Sequence, residues 1–183
     1  MNKLMRSENN TDLDKIASSE AWQELLSGDR GAFELLFRRY YDDLYRYGVT
    51  FCGCPDMAED HIQKLFLKIW RRRETLGEVT GVKTYLWSGL RRSLIDEFRK
   101  QQTKKKYLDK LEHDNLGMQL TPEEFIINDE LDAICRRALE EAIDQLSSRQ
   151  QEVVYLKFYE GMGYDEIEQI MAISYQTSRN YVY

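Results

Sequence analysis

Residues 62–106 of this chain read IQKLFLKIWRRRETLGEVTGVKTYLWSGLRRSLIDEFRKQQTKKK. Two segments with helical spacing flank a short loop, and aromatic residues alternate with a basic face. The whole chain carries a net charge of −6. Residues 68–106 contain only four acidic residues (Glu74, Glu78, Asp96, Glu97). They contain twelve basic ones (Lys68, Arg71, Arg72, Arg73, Lys83, Arg91, Arg92, Arg99, Lys100, Lys104, Lys105, Lys106). Because like charges repel, this patch favours a polyanionic partner such as nucleic acid, with a solvated basic face as the alternative.

The composition bounds the fold class. The chain has 183 residues, of which 42% are hydrophobic, with only 2 prolines and 10 glycines. Long runs at helical spacing therefore predict an all-α protein with short connections. We find no apolar run of about eighteen residues and no signal-like N-terminus, so we expect no membrane insertion. The 3 cysteines are an odd number, which fits a reducing, cytoplasmic location.

Few residues are candidates for metal binding or catalysis. Cys52, Cys54 and His61 lie close in the sequence, but a fourth ligand is missing and the spacing matches no common zinc pattern. We therefore expect no metal and no other cofactor. The sequence also contains no glycine-rich phosphate loop, nucleophile elbow or His–carboxylate arrangement, so we expect that the protein is not an enzyme.

The periodicity divides the chain into two small helical domains. We predict a disordered lead-in over residues 1–20, a first domain over 21–100, a flexible linker over 101–120 and a second domain over 121–183. In the first domain, Asp56 and Glu59 form a possible capping box for a helix. Its predicted buried stripe is Ala58, Ile62, Leu65, Phe66 and Ile69. Residues 75–81 read as a loop before the next helix.

The second domain ends in the most specific pattern of the chain. Thr121 and Pro122 are typical of a helix start, and Ser148 with Gln151 can cap a further helix. Two short helices follow, residues 165–171 and 175–183, joined by a three-residue turn, with Ser174 as the cap of the second. Such a pair is typical of a helix-turn-helix, and an ordinary helical hairpin is the alternative.

Both halves together resemble the extracytoplasmic-function (ECF) group of sigma factors in the sigma-70 family. The first half carries an acidic pair, then Gln, then Phe, ending in Trp, within residues 58–70 (AEDHIQKLFLKIW), followed by residues 85–87 (YLW) and 96–99 (DEFR). The second half carries residues 148–153 (SRQQEV), 159–167 (YEGMGYDEI) and 173–174 (IS). The last helix is most similar to sigma factors of the Bacteroidetes lineage.

The resemblance implies a subunit that binds core RNA polymerase and promoter DNA and directs promoter melting. Polymerase binding would fall to one helix edge (Asp60, Gln63, Phe66, Leu67, Trp70). Melting-region DNA would contact a second set (Tyr85, Trp87, Arg91, Arg92, Arg99, Lys100). The helix-turn-helix would enter the major groove with a third set (Ser174, Gln176, Thr177, Arg179, Asn180). The resemblance also implies an anti-sigma factor, which in family members is often anchored in the membrane.

The chain departs from the family pattern at several positions. Lys64 stands where Glu is usual, Arg92 where Asn is common, and Ala172 where the turn usually has Gly. We expect Ala172 to be tolerated at negative φ. The chain stops at Tyr183 inside the recognition helix, so we expect either that this helix is truncated or that binding of the upstream element is weakened. Two other readings stay open: a stand-alone helix-turn-helix regulator, and an adaptor that binds only protein through Leu67 and Trp70.

Overall fold

The computed structural model describes residues 8–106, 118, 120 and 133–182, and all regular structure within them is helical. The predicted all-α class is confirmed. Its elements are α1 (Glu8–Leu26), α2 (Arg30–Cys52), α3 (Pro55–Arg72), α4 (Val82–Lys106), α5 (Ala133–Asp144), α6 (Ser148–Val154), a π-helical turn (Tyr155–Tyr159), α7 (Tyr164–Met171) and α8 (Tyr175–Asn180). The chain divides into two compact units, with the main boundary inside α4 between Asp96 and Glu97 and with residues 50–53 assigned to the second unit.

The first helix begins earlier than the sequence predicts. Residues 8–20 of the expected lead-in belong to α1, and residues 1–7 lie outside the described part of the chain. The side chain of Ser18 is only 2% exposed, and its hydroxyl accepts a hydrogen bond of 2.8 Å from the Tyr40 hydroxyl. Because serine adds nothing to an apolar stripe, periodicity alone places the first buried turn near Trp22.

The core of the N-terminal unit is built from one face of each of its helices. The stripe predicted on α3 is buried, and His61 lies with it. The large side chains that fill this core are Trp22, Leu25, Leu36, Leu44, Tyr47, Ile62, Ile69, Leu86, Trp87, Leu90 and Leu94. Burial of such side chains contributes about 1.5–3 kcal/mol each, so this stripe pattern is the main source of the unit's stability.

Two glycines allow the helices of this unit to approach closely. A Cβ on Gly48 would lie 2.9 Å from the Cβ of Ala58, across the contact of α2 with α3. A Cβ on Gly89 would lie 2.7 Å from a methyl carbon of Leu65, across the contact of α3 with α4. Both distances are shorter than carbon atoms tolerate. At Gly48 the packing therefore favours glycine despite its cost of about 1 kcal/mol, whereas opposite Gly89 the Leu65 methyl group can rotate away.

Two predicted helix starts are displaced. α3 begins at Pro55, and its N-cap residue Cys54 makes no side-chain capping bond, so the predicted capping box of Asp56 and Glu59 is wrong. Proline at the first helical position needs no donor there, which explains the earlier start. α6 is capped by Ser147, one residue before the predicted Ser148: its hydroxyl accepts from the backbone N–H of Gln150, whose side chain accepts from the N–H of Ser147.

Gln151, predicted as part of that cap, joins three segments of the C-terminal unit instead. Its amide nitrogen donates to the carbonyls of Ile143 (3.1 Å) and Leu146 (3.2 Å), and its amide oxygen accepts from the N–H of Leu120 (3.0 Å).

Residues 101–106 of the predicted linker continue α4. The predicted helix start at Thr121 and Pro122 lies outside the described residues, and the domain limits stay predictions.

His61 has a structural partner. Its Nδ1 lies 2.6 Å from the Ser93 hydroxyl, which joins α3 to α4 inside the first unit.

Among the described residues, no group of three or more His, Cys, Asp or Glu side chains is arranged to hold a metal ion. No described helix is long and apolar enough to cross a membrane.

Candidate functional site

The outward edge of α3 carries four of the five residues predicted to bind polymerase. Asp60, Gln63, Leu67 and Trp70 follow one another at three- and four-residue steps, so they share one helix face. Asp60 and Gln63 are exposed, and Leu67 is 50% exposed. Leu67 and the partly exposed Trp70, one turn apart, place apolar area beside these polar groups. We refer to Asp60, Gln63, Leu67 and Trp70 as the α3 edge.

Phe66, the fifth residue, lies in the core. Its side chain is 2% exposed and packs edge-on against Phe33 and Phe37, with ring centroids 6.0 and 5.0 Å apart. The assignment of Phe66 as a surface contact is therefore wrong, whereas its place in the buried stripe is confirmed. Trp70 is partly exposed: it packs edge-on against Phe33 (5.2 Å), and the Arg73 guanidinium lies 4.7 Å from its ring centroid. Phe66 thus supports the α3 edge from inside.

Lys64, one of the departures from the family pattern, pairs with a residue of the α3 edge. Its ammonium contacts the Asp60 carboxylate one turn away, and both side chains are more than half exposed. An exposed pair of this kind contributes less than about 1 kcal/mol and is easily exchanged for another partner. The Asp60 carboxylate therefore stays available to a binding protein despite Lys64.

A second cluster forms where the end of α3 meets the start of α4. Tyr85 is partly buried, and its ring packs edge-on against Trp22 at 5.2 Å. Burial raises the pKa of the Tyr85 phenol, and the nearby guanidinium groups of Arg72 and Arg92 act in the opposite direction. A phenol beside two exposed guanidinium groups combines a ring that can stack with charges that can hold phosphates.

Arg72 was not among the residues singled out for DNA binding. It ends α3, and its carbonyl accepts hydrogen bonds from the N–H groups of Thr75 (2.8 Å) and Leu76 (2.9 Å). Burial raises the pKa of the Tyr85 phenol, thirteen positions later in the sequence, and across this turn the Arg72 guanidinium opposes that larger effect. The helix-breaking loop after the basic run was the signal that could have placed Arg72 in this cluster.

Trp87 is not part of the exposed surface. Its side chain is 0% exposed and lies against Tyr40 (6.1 Å, edge-on), with the Lys83 ammonium 5.1 Å from its ring centroid. The predicted direct contact of Trp87 with DNA is therefore wrong in this conformation, because the side chain fills the core between α2 and α4. Within the described part of the chain, the indole N–H of Trp87 has no hydrogen-bond acceptor.

The remaining residues of the predicted melting-region set lie along α4. Arg91 is half-buried, whereas Arg92, Arg99 and Lys100 are exposed. Tyr85, Arg92 and Arg99 are spaced by sevens, which is close to two helical turns, so they follow one face. The structure thus keeps five of the six residues at or near the surface.

The C-terminal pair of helices forms the predicted helix-turn-helix. α7 and α8 pack together, and Tyr164 contacts Tyr175 edge-on at 5.8 Å. Ser174 is the N-cap of α8: its hydroxyl accepts from the N–H of Thr177 at 3.1 Å and also lies 2.8 Å from the Thr177 hydroxyl. Ser178 is buried and its hydroxyl donates to the carbonyl of Tyr175 at 2.7 Å, whereas Gln176, Arg179 and Asn180 are exposed.

The exposed side chains of α8 include the remaining three predicted residues. Gln176, Arg179 and Asn180 are exposed, and the Gln176 amide donates to the Asn180 side-chain oxygen at 3.2 Å. Amide and guanidinium groups are those that read base edges in the major groove. Ser174 and Thr177 are occupied with the cap, so the outward polar groups of α8 are those of the other three residues.

Comparison with known proteins gives consistent matches across both units. The family model Sigma-70 region 2 matches residues 36–104, and the model Sigma-70, region 4 matches residues 136–183. The chain is 29% identical over 146 residues to the ECF RNA polymerase sigma factor SigX of Bacillus subtilis, covering 78% of this chain and 73% of SigX. It is 27% identical over 160 residues to the ECF RNA polymerase sigma factor SigL of Mycobacterium tuberculosis, covering 85% and 87%.

A solved structure supports the fold. The sigma factor RpoE of Bartonella quintana, crystallised with the anti-sigma factor NepR, superposes with a TM-score of 0.61 at 20% identity, covering 82% of this chain and 89% of that one. At that identity the likeness concerns the fold alone.

Proposed function

The chain belongs to the sigma-70 family, in its extracytoplasmic-function group, and we propose how its surfaces bind core RNA polymerase, recognise promoters and start transcription. The observation that carries the function is the match of two family regions in order, residues 36–104 on the first helices and 136–183 on the last. A stand-alone helix-turn-helix regulator would need only the second region. Nothing in the comparisons supports that alternative.

Core polymerase docks on the α3 edge in this proposal. The half-exposed Leu67 and the partly exposed Trp70 supply apolar area, and Asp60 and Gln63 supply polar contacts around it. Phe66 holds the edge rigid through its contacts with Phe33 and Phe37. A rigid apolar centre with a polar rim is the arrangement expected of a stable protein interface.

Melting-region DNA meets the cluster of Tyr85, Arg72 and Arg92, together with Arg99 and Lys100 further along α4. An unpaired base stacks best on an exposed aromatic face, and Tyr85 is the partly exposed ring of this set. The cations hold the strand through its phosphates. With arginine at position 92, this contact favours phosphate binding over base selection.

The upstream promoter element meets α8 in the major groove. Gln176, Arg179 and Asn180 form the outward face of that helix. The Ser174 cap leaves the N-terminal end of α8 ordered, so these side chains project from a fixed helix. Truncating a base-reading arginine costs about 1–3 kcal/mol on its own sequence.

An anti-sigma factor is a second protein partner in this proposal. The related fold of RpoE was solved with its anti-sigma factor NepR. A cytoplasmic inhibitor domain, in some systems anchored in the membrane, would hold this chain until a signal releases it. In this proposal the protein acts in the cytoplasm.

Three substitutions separate the proposed surfaces. We expect Leu67→Ala to weaken binding to core polymerase and Arg99→Ala to slow open-complex formation while polymerase binding stays nearly intact. Arg179→Ala should weaken binding of the upstream element in a sequence-dependent way. Leu35→Ala is the matched control for Leu67, since Leu35 is an equally exposed leucine (51%) on α2.

The measurements are core-polymerase affinity by fluorescence anisotropy and open-complex formation by permanganate footprinting of the exposed thymines. If Arg99→Ala reduces both quantities equally, its assignment to DNA is wrong. If Arg179→Ala weakens every DNA sequence to the same degree, Arg179 contacts a phosphate instead of a base.

A further inference from the structure

Helix α1 makes three contacts with the segment that carries the melting-region cluster. The indole N–H of Trp22 donates a long hydrogen bond of 3.4 Å to the carbonyl of Gly77. The next residue, Gln23, donates from its amide to the Glu78 carboxylate at 3.1 Å. Trp22 also packs edge-on against Tyr85 at 5.2 Å. One turn of α1 therefore contacts both the loop and the ring proposed to meet an unpaired base.

The loop is otherwise held at its start, where the N–H of Leu76 donates to the carbonyl of Arg72 at 2.9 Å. Residues 76–79 have no regular structure, and Gly77 and Glu78 are exposed. A Cβ on Gly77 would meet no atom within 4 Å, so no side chain packs over that point. Ordering a loop residue costs about 1–2 kcal/mol of conformational entropy, which the contacts with α1 offset before any DNA arrives.

We infer that Trp22 and Gln23 of α1 are positioning residues for strand capture: they hold loop 76–79 and the Tyr85 ring in the arrangement that receives the unpaired strand. The inference rests on the proposed function, because it assigns a role within promoter melting. It adds a helix outside residues 36–104, the range matched by the region 2 family model. Neither residue needs to touch DNA for this role.

The Gln23–Glu78 pair allows a test by exchange of donor and acceptor. Both side chains are exposed, so substitution leaves the core intact. Gln23→Glu keeps the size of the side chain but replaces the donor with a second carboxylate facing Glu78. Combining Gln23→Glu with Glu78→Gln restores an amide donor opposite a carboxylate. A role in loop placement predicts loss in the single variant and recovery in the exchanged pair.

The experiment uses the full chain assembled with core polymerase on a promoter mapped from its own transcripts. We expect Gln23→Glu to slow the closed-to-open step roughly fivefold, the effect of losing one ordinary hydrogen bond, with unchanged affinity for core polymerase and for closed promoter. The exchanged pair should return to within about twofold of the parent rate. Hydrogen exchange in loop 76–79 should speed up in the single variant and slow again in the exchanged pair.

Two outcomes would overturn the inference: an unchanged opening rate in Gln23→Glu, or a slower rate that the exchanged pair does not restore. If the parent protein itself opens no promoter, the proposed function fails, and this inference fails with it.

Discussion

Ala172 turns the chain between α7 and α8 in the left-handed region, with φ 53° and ψ 47°. The negative φ under which alanine would be tolerated here without strain is therefore not what the structure shows. The reason lies in the helix end: the N–H groups of Ala172 and Ile173 both reach back to the carbonyl of Glu168, which requires a left-handed residue after Met171. Alanine is strained in the left-handed region, and glycine in the same conformation would not be.

Ala172→Gly should therefore stabilise the C-terminal unit by about 0.5–1 kcal/mol. This is the backbone strain that the change relieves, reduced by the greater conformational entropy that glycine has in the unfolded chain. Ala138→Gly is the matched control: Ala138 is exposed within α5, so the same change should cost about 1 kcal/mol there. Guanidinium unfolding followed by circular dichroism measures both. Destabilisation by Ala172→Gly would contradict the left-handed assignment.

The identity of the α6 cap gives a second prediction for single residues. Ser147→Ala should destabilise the C-terminal unit by about 1 kcal/mol because the hydroxyl that accepts from Gln150 is lost. Ser148→Ala, one position later, should change little, since Ser148 is already inside the helix. The denaturant midpoints of the two variants, measured under the same conditions, decide between the neighbouring serines. If Ser148→Ala lowers the midpoint more than Ser147→Ala does, Ser148 is the N-cap, as predicted from the sequence.

Single residues also show the limits of prediction for the site. Asp60, Gln63, Leu67 and Arg179 lie at the surface as the sequence predicts. Phe66 and Trp87 do not, because a resemblance to family motifs does not distinguish a contact from a buried support. Arg72 was missed because residues 75–81 were read only as a loop, and the Arg72 side chain before that loop was not related to Tyr85 after it.

At the scale of elements, α2 and α3 are predicted well because their apolar residues recur at helical spacing on one face. α1 is predicted only in part, since its buried contact uses Ser18 and its loop contacts use Gln23. Polar contacts of this kind give no periodic signal. The start of α3 is missed for a related reason, as Pro55 begins the helix without a side-chain cap.

The close approach of α2 and α3 is testable through Gly48. Gly48→Ala should destabilise the N-terminal unit by about 1 kcal/mol or more, because the gain in helix propensity is smaller than the cost of a Cβ placed 2.9 Å from the Ala58 Cβ. Gly89→Ala should cost less, because its close neighbour is a methyl group at the end of the Leu65 side chain, which can rotate.

Tryptophan fluorescence is the appropriate measurement for this pair, since Trp22, Trp70 and Trp87 are the chain's 3 tryptophans and all lie in the N-terminal unit. Denaturant midpoints read by fluorescence then report on that unit alone. A stabilising effect of Gly48→Ala would show that α2 and α3 do not approach as closely as described.

At the scale of the whole molecule, the three surfaces proposed to bind partners differ in their chemistry. The α3 edge presents a half-exposed leucine and polar groups, α4 presents cations around a tyrosine, and α8 presents amides and a guanidinium. The sequence was sufficient for the all-α class and for the family, because two sets of motifs occur in a fixed order. Which residues of each set face outward required the packed structure.

Transcription in vitro with purified core polymerase tests the central claim most directly. Genomic DNA fragments are transcribed by core polymerase alone and by core polymerase with this protein, and the RNA 5′ ends are mapped. The account predicts discrete start sites that appear only with the protein and share a sequence element upstream. Start sites that are the same with and without the protein would contradict it.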